Sequence, residues 1–141
     1  MEKVLIVDGH SAIHATPWLL DLHRVNMSSG RDALVRELSD FQNLTSYYVV
    51  LVFDGQGAKV EKHGGSETDI MIMYSQTNQT ADAVIERLVA RQGKKHDVQV
   101  GSNDRMVLES CYASGAHVMS IDQMWDLING GVDARQYYRK V

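Results

Sequence analysis

The chain has a single cysteine, Cys111, so no internal disulfide can form, and this usage fits a reducing compartment. No apolar run approaches the ~20 residues a membrane helix needs. The first residues lead straight into a strand-like segment, without the charged and apolar regions of a signal peptide. Cytoplasmic residence with no membrane partner is the expectation. Excess positive charge is missing too. The 14 basic and 18 acidic side chains leave a net charge of −4, which argues against gripping nucleic acid through bulk positive charge. The shortfall does not exclude a nuclease that carries cations, because divalent ions held by some of the acids would bring the loaded protein towards neutrality. There is no internal repeat and no low-complexity segment. With 141 residues, 44 % of them apolar and 23 % charged, the composition is that of an ordinary globular protein, and a single domain spanning 1–141 is expected.

Val4-Leu5-Ile6-Val7 is an unbroken aliphatic run that ends in Asp8-Gly9. A strand buried on both faces has no polar side to alternate, so this reads as a central strand of a parallel sheet with Asp8 at its carboxyl end. In open α/β sheets ligands bind at that edge, although an Asp-Gly pair also serves simply as a turn. Ser11 to Leu22, interrupted by Pro17, reads as a loop with short helical pieces. Ser28-Ser29-Gly30 starts a helix with Ala33, Leu34, Leu38 and Phe41 on its buried side, and its charges, Arg31 among them, are most simply a solvated face. Tyr47 to Phe53 is a second buried strand ending in Asp54-Gly55. Two parallel strands joined by a helix place their carboxyl ends on one edge, so Asp8 and Asp54 should be near neighbours.

Gly57 to Glu67, with Lys59, Lys62 and His63, lacks apolar periodicity and reads as a loop on the same edge. Ile70 to Tyr74 is a third strand. Thr80 caps a following helix whose first turn carries Asp82, a position where acids are also common for helix-dipole reasons alone. Val98 to Val100 is a fourth strand, and Ser102 is a plausible cap for a helix from Arg105 to Ser114 with Asp104 just before it. Cys111 reads as core. A fifth strand at His117 to Met119, a helix from Ile121 to Ile128 stopped by Gly130-Gly131, and a short final helix over Val132 to Val141 complete the pattern. The fold class expected is α/β, with helices on both faces of a mostly parallel sheet of about five strands.

Four carboxylates, Asp8, Asp54, Asp82 and Asp104, thus fall on one sheet edge. Such crowding is costly unless cations sit between the anions. Hard oxygen ligands suit Mg²⁺ or Mn²⁺, and a site of this kind could activate water and stabilise the leaving oxygen of a phosphodiester. Other chemistries fail on spacing. His10 and His14 have Ser11 where a zincin needs Glu, Gly55-Gln56-Gly57 follows the second strand and lacks a third glycine, and no phosphate loop ends in Lys-Ser or Lys-Thr. A receiver domain would place an acid pair after the first strand and a lysine after the last, where His10 and Ser120 stand.

The Val4 to Gly9 strand end, Val52-Phe53-Asp54, Thr80-Ala81-Asp82 and Ser102-Asn103-Asp104 together resemble the NYN branch of PIN-like nucleases, specifically the YacP family. Asp8-Gly9-His10 and Phe53-Asp54-Gly55 are also similar to the 5′-nuclease domains of bacterial DNA polymerases. The resemblance runs from about Lys3 to Met124. It implies a PIN-like, Rossmann-like three-layer sandwich, Mg²⁺ or Mn²⁺, and endonucleolytic cleavage of RNA, which in some members is ribosome-associated mRNA. Carried over by position, Asp8, Asp82 and Asp104 would be catalytic metal-site acids and Asp54 a fourth. Ser11, His10, Asn103, Lys59, Arg105 and Thr80 are the candidates for positioning the RNA strand. Two positions depart from the family pattern. Ser11 replaces the Asn of Asp-Gly-Tyr-Asn, and Gln79 replaces a Glu before Thr-Ala-Asp. They keep open an alternative, a catalytically weak RNA- or ribosome-binding module of the same fold.

Overall fold

A computed structural model describes residues 2–57, 61–64 and 69–140, with backbone alone for 56–57, 61–63 and 131–140. The aliphatic run forms strand β1 (Lys3–Asp8), which lies between β2 (Tyr47–Gly57) and β5 (Asp97–Gly101) and pairs in parallel with both. Leu5, Ile6 and Val7 are almost fully buried, and burying such side chains stabilises the fold by about 1.5–3 kcal/mol each. Beyond β2 lies β4 (Met71–Gln76), and beyond β5 lies β6 (His117–Met119), both parallel to their neighbours. The expected five parallel strands are therefore present. A sixth, β3 (Glu61–Gly64), pairs antiparallel with β4 at the edge of the sheet. This strand falls inside the stretch expected to be loop. It has no apolar alternation to betray it, and it is held through main-chain pairing with β4 instead.

Helices cover both faces. On one side α1 (Gly9–Ala15), α2 (Pro17–Val25), α3 (Met27–Leu44) and α6 (Ile121–Lys140) enclose a core that includes Leu5, Val7, Val49, Leu51 and Phe53. On the other, α4 (Ala81–Gln92) and α5 (Arg105–Ala113) pack over Val4, Ile6, Val52, Val98 and Val100. The period of two along a strand decides where the acids point. Asp8 shares parity with Val4 and Ile6, and Asp54 shares parity with Val52, so both belong to the α4/α5 side. Asp8 pairs with Val52 in the β1–β2 register, which sets Asp54 two residues further along the adjacent strand.

Several boundaries differ from the sequence expectation, each for an identifiable reason. Where a loop with helical pieces was expected after Gly9, two helices meet at Thr16, because Pro17 occupies the opening of α2, a position that tolerates a missing N–H. Asn26 caps α3 by accepting from Ser28 N. Asp104, rather than Ser102, caps α5, accepting from the amides of Met106 and Val107. Helix α6 runs through Gly130-Gly131 instead of stopping there. Interior glycines cost about 1 kcal/mol each without forbidding a helix, and Ile121, Met124 and Ile128 anchor this one to the core. Cys111 is fully buried, and burial first, then Glu86 and Asp82, push its thiol up to about 11.

The glycines that follow the strand-end acids are there for space. A Cβ on Gly9 would run into the ring of Phe53, and one on Gly55 into the carbonyl oxygen of Ser75. Gly55→Ala is expected to lower stability by about 1–3 kcal/mol, as overpacking typically does. Denaturant unfolding measures this, and an unchanged midpoint would show that β2 and β4 do not approach as closely as described.

Candidate active site

At the carboxyl end of the parallel strands, Asp8, Asp54, Asp82 and Asp104 line one open cleft of about 510 Å³. Each is set there by local structure. Asp8 ends β1 and caps α1. Its Oδ1 accepts from Ser11 N at 3.3 Å, and its Oδ2 accepts from the hydroxyls of Ser11 at 2.8 Å and Ser102 at 2.7 Å. A hydroxyl has one proton to donate, so both serine protons are spent on the same carboxylate oxygen. The oxygens of the two serines also accept, Ser11 Oγ from Asn103 N at 3.1 Å and Ser102 Oγ from Asp104 N at 3.0 Å. Asp8 is only 4 % exposed, and this clasp ties it to the turn that carries Asp104.

Asp54 Oδ1 accepts from Ala81 N, the first amide of α4, at 2.7 Å. Asp104 Oδ1 accepts from Met106 N at 2.9 Å. In both, the second carboxylate oxygen carries no hydrogen bond among the described residues. Asp82 stands in the first turn of α4, just past the capping Thr80. Burial first, then the negative charges of Asp104, Asp8, Asp54 and Glu86, push its carboxyl up to about 6. That shift is the electrostatic signature of the crowding expected from the sequence. The positive ends of α4 and α5 point at the same place and offset part of it.

The other candidates divide. His10, Ser11, Asn103 and Thr80 line the cleft. Ser11 is buried and its hydroxyl is committed to Asp8, so it orients a carboxylate rather than meeting solvent. Asn103 Oδ1 accepts from Ile121 N at 2.9 Å, which leaves its amide NH₂ as the end with donors to spare. The Thr80 hydroxyl caps α4 through Ala83 N. Arg105 is not brought to the cleft: its side chain is 89 % exposed and paired with Glu109 at 2.9 Å. Lys59 lies outside the described residues. Gln79 does not line the cleft, and its Oε1 is buried without a hydrogen-bond partner among the described residues.

Three participants escaped the sequence reading. Ser102, which the sequence presents as a helix cap, is instead the second hydroxyl on Asp8. His14 lines the cleft beside His10, with ring centroids 4.1 Å apart. Arg31 is half-buried, not on a solvated face, and lies over the Phe53 ring at 4.7 Å. The signal was present, since Arg31, Leu34, Leu38 and Phe41 follow the helical spacing of one face.

Among the described residues no three His, Cys, Asp or Glu side chains are gathered into a group that would hold a metal ion unaided. The donor set nonetheless suits a hard divalent cation. It is all carboxylate oxygen, three of the acids (Asp54, Asp82 and Asp104) keep an oxygen free of hydrogen bonds among the described residues, and Mg²⁺ is usually held by one or two carboxylates together with water and substrate phosphate. No helix among the described residues is long and apolar enough to cross a membrane.

The YacP-like NYN domain family matches residues 5–136 of the chain. The uncharacterized protein YacP of Bacillus subtilis (strain 168) is 28 % identical over 114 residues, which are 80 % of this chain and 67 % of that protein. The crystal structure of Rae1 (YacP) from Bacillus subtilis superposes with a TM-score of 0.73 at 25 % identity, covering 97 % of this chain and 78 % of that one. Its W164L mutant superposes with a TM-score of 0.77 at 23 % identity, covering 93 % and 77 %. The chain therefore belongs to the YacP-like NYN domain family, membership of which implies a nuclease-type, RNA-related function.

Proposed function

We propose that the chain is a metal-dependent endoribonuclease that hydrolyses RNA phosphodiester bonds at the carboxylate cleft, with single-stranded or messenger RNA, free or on the ribosome, as substrate. One observation carries the reading. Four carboxylates converge on a cleft that no lysine or arginine among the described residues lines, so histidine is the only cationic side chain there to add to the partial charge of the helix starts. Asp8, Asp54, Asp82 and Asp104 would hold Mg²⁺ or Mn²⁺. A divalent cation bound there supplies the charge that offsets these acids and polarises a phosphoryl oxygen.

The remaining roles belong to the chain itself. Ser11 and Ser102 fix the direction of the Asp8 carboxylate, so no reorganisation is needed when substrate arrives. The free NH₂ of Asn103 and the ring of His10 are donors for non-bridging phosphate oxygens. Thr80 holds the start of α4, and with it Asp82, against the cleft. A second reading, an RNA- or ribosome-binding module with little cutting, draws on Gln79, which stands where the family often has an acid and adds no carboxylate to the cleft.

Cleavage of a labelled single-stranded RNA in Mg²⁺ or Mn²⁺, alone and as mRNA on ribosomes, tests both readings. Asp8→Asn and Asp104→Asn should each lower the rate by about 100- to 1000-fold. Binding without metal-dependent cutting would leave the second reading, and cutting that survives both substitutions would remove the site from the acids.

Without metal, the crowding should also appear as pH-dependent stability. The folded Asp82 carboxyl keeps its proton up to about 6, whereas an ordinary one releases it near 3.8, so this contribution is intact below 3.8 and is lost as pH rises through 6. In EDTA, Asp82→Asn should raise the melting temperature by about 2–4 °C at pH 8 and by less at pH 5. Mn²⁺ should stabilise the parent more than the variant. An equal gain at both pH values would contradict the assigned repulsion.

A further inference from the structure

Beside the carboxylate cleft, and sharing His10, His14 and Asp54 with it, lies a second cavity of about 190 Å³ whose far wall is His23, Met27, Arg31 and Phe53. Its chemistry is opposite to that of the cleft. The rings of His10, His14 and His23 follow one another, with centroids 4.1 Å and then 5.5 Å apart, and lead to Arg31. Arg31 is gripped by aromatic faces instead of acids, its guanidinium lying 4.7 Å from the Phe53 centroid and 5.8 Å from that of Tyr74. Stacking of this kind holds the plane and leaves the N–H fork unspent. Among the described residues Arg31 makes no hydrogen bond or ion pair, and its Nε and the Nδ1 of His23 are both buried without a partner. Leaving such groups unmet is unfavourable, and the Arg31 N–H calls for an acceptor. Burial, then His10, His23 and Arg24, hold the His14 imidazole below its ordinary range.

We propose that this cavity is a subsite for a backbone phosphate of the RNA next to the scissile one, with the Arg31 guanidinium as its principal donor and the His14 and His23 rings beside it. The inference rests on the nuclease reading of the adjoining cleft and extends it. At about 190 Å³ the cavity is smaller than the 300–1,000 Å³ typical of sites for free small ligands, which suits one unit of a polymer already held next door. A protein of net charge −4 with an acidic centre repels a polyanion, and a single fixed cation beside that centre gives the strand an anchor where it enters. Met27, exposed at the rim, offers an apolar surface to a ribose or base.

Fluorescence anisotropy with a labelled 5′-hydroxyl oligouridine, in Ca²⁺ and across a salt series, tests the subsite, since only internal phosphodiesters are then available. Arg31→Met keeps the apolar stem on Phe53 and removes the charge. It should weaken binding by about tenfold and reduce the slope of log affinity against log salt by about 0.7, the value for one single-strand phosphate contact. Arg31→Lys should restore most of both, which a packing role alone would not do. Unchanged affinity and slope in Arg31→Met, with the parent binding normally, would overturn the subsite and leave the nuclease reading untouched. An Arg31-dependent slope in a protein that never cuts would keep the subsite and remove the nuclease. Failure of the parent to bind RNA at all would remove both.

Discussion

The clasp on Asp8 is the interaction on which the edge of the sheet depends. One carboxylate, buried at the end of the central strand, receives the only protons that Ser11 and Ser102 have to give. Ser11 comes from the first turn of α1, and Ser102 from the turn after β5 that also carries Asn103 and Asp104. Through this one side chain the start of the chain and its second half are brought into fixed relation. The cost of burying an acid is met by three donors, and the serine oxygens in turn accept the amides of Asn103 and Asp104. Having Ser11 where the resemblance leads one to expect asparagine therefore does not leave Asp8 unsupported; the hydroxyl serves as a donor to it.

Around that fixed point the sheet assembles charge that it does not neutralise. Strand parity sends Asp8 and Asp54 to the same face, and helices packed on that face begin with Asp82 and Asp104. Hydrogen bonds from helix-start amides orient Asp54 and Asp104 but leave oxygen uncommitted, and Asp82 carries the strain of the group as a carboxyl raised to about 6. The neighbouring cavity shares Asp54 with the cleft and adds a cation, Arg31, gripped by rings, with His10, His14 and His23 along its wall. An acidic centre flanked by a cation that has no hydrogen bond or ion pair among the described residues is the arrangement on which the proposed division between chemistry and anchorage rests.

Much of this was legible in the chain. Unbroken aliphatic runs ending in Asp-Gly announced parallel strands with acids at one edge, and Thr80-Ala81-Asp82 announced a capped helix start. What escaped reading depended on distance or on competition. The Ser102 hydroxyl meets a partner 94 residues away, which no local pattern encodes. Strand β3 has no apolar alternation of its own. Gly130-Gly131 lost to the packing of Ile121, Met124 and Ile128 on the core. Arg31 continued a buried helical face, but its charge suggested solvent, and only the rings of Phe53 and Tyr74 explain why it turns inward.

The central claim is that the four acids form a cation site, and anomalous diffraction from crystals soaked in Mn²⁺ tests it without reference to turnover. The expected result is a Mn²⁺ peak in the cleft within coordinating distance of the carboxylates of Asp8 and Asp104, lost in Asp8→Asn crystals. A fully occupied Mn²⁺ elsewhere on the molecule with none among these acids would contradict it.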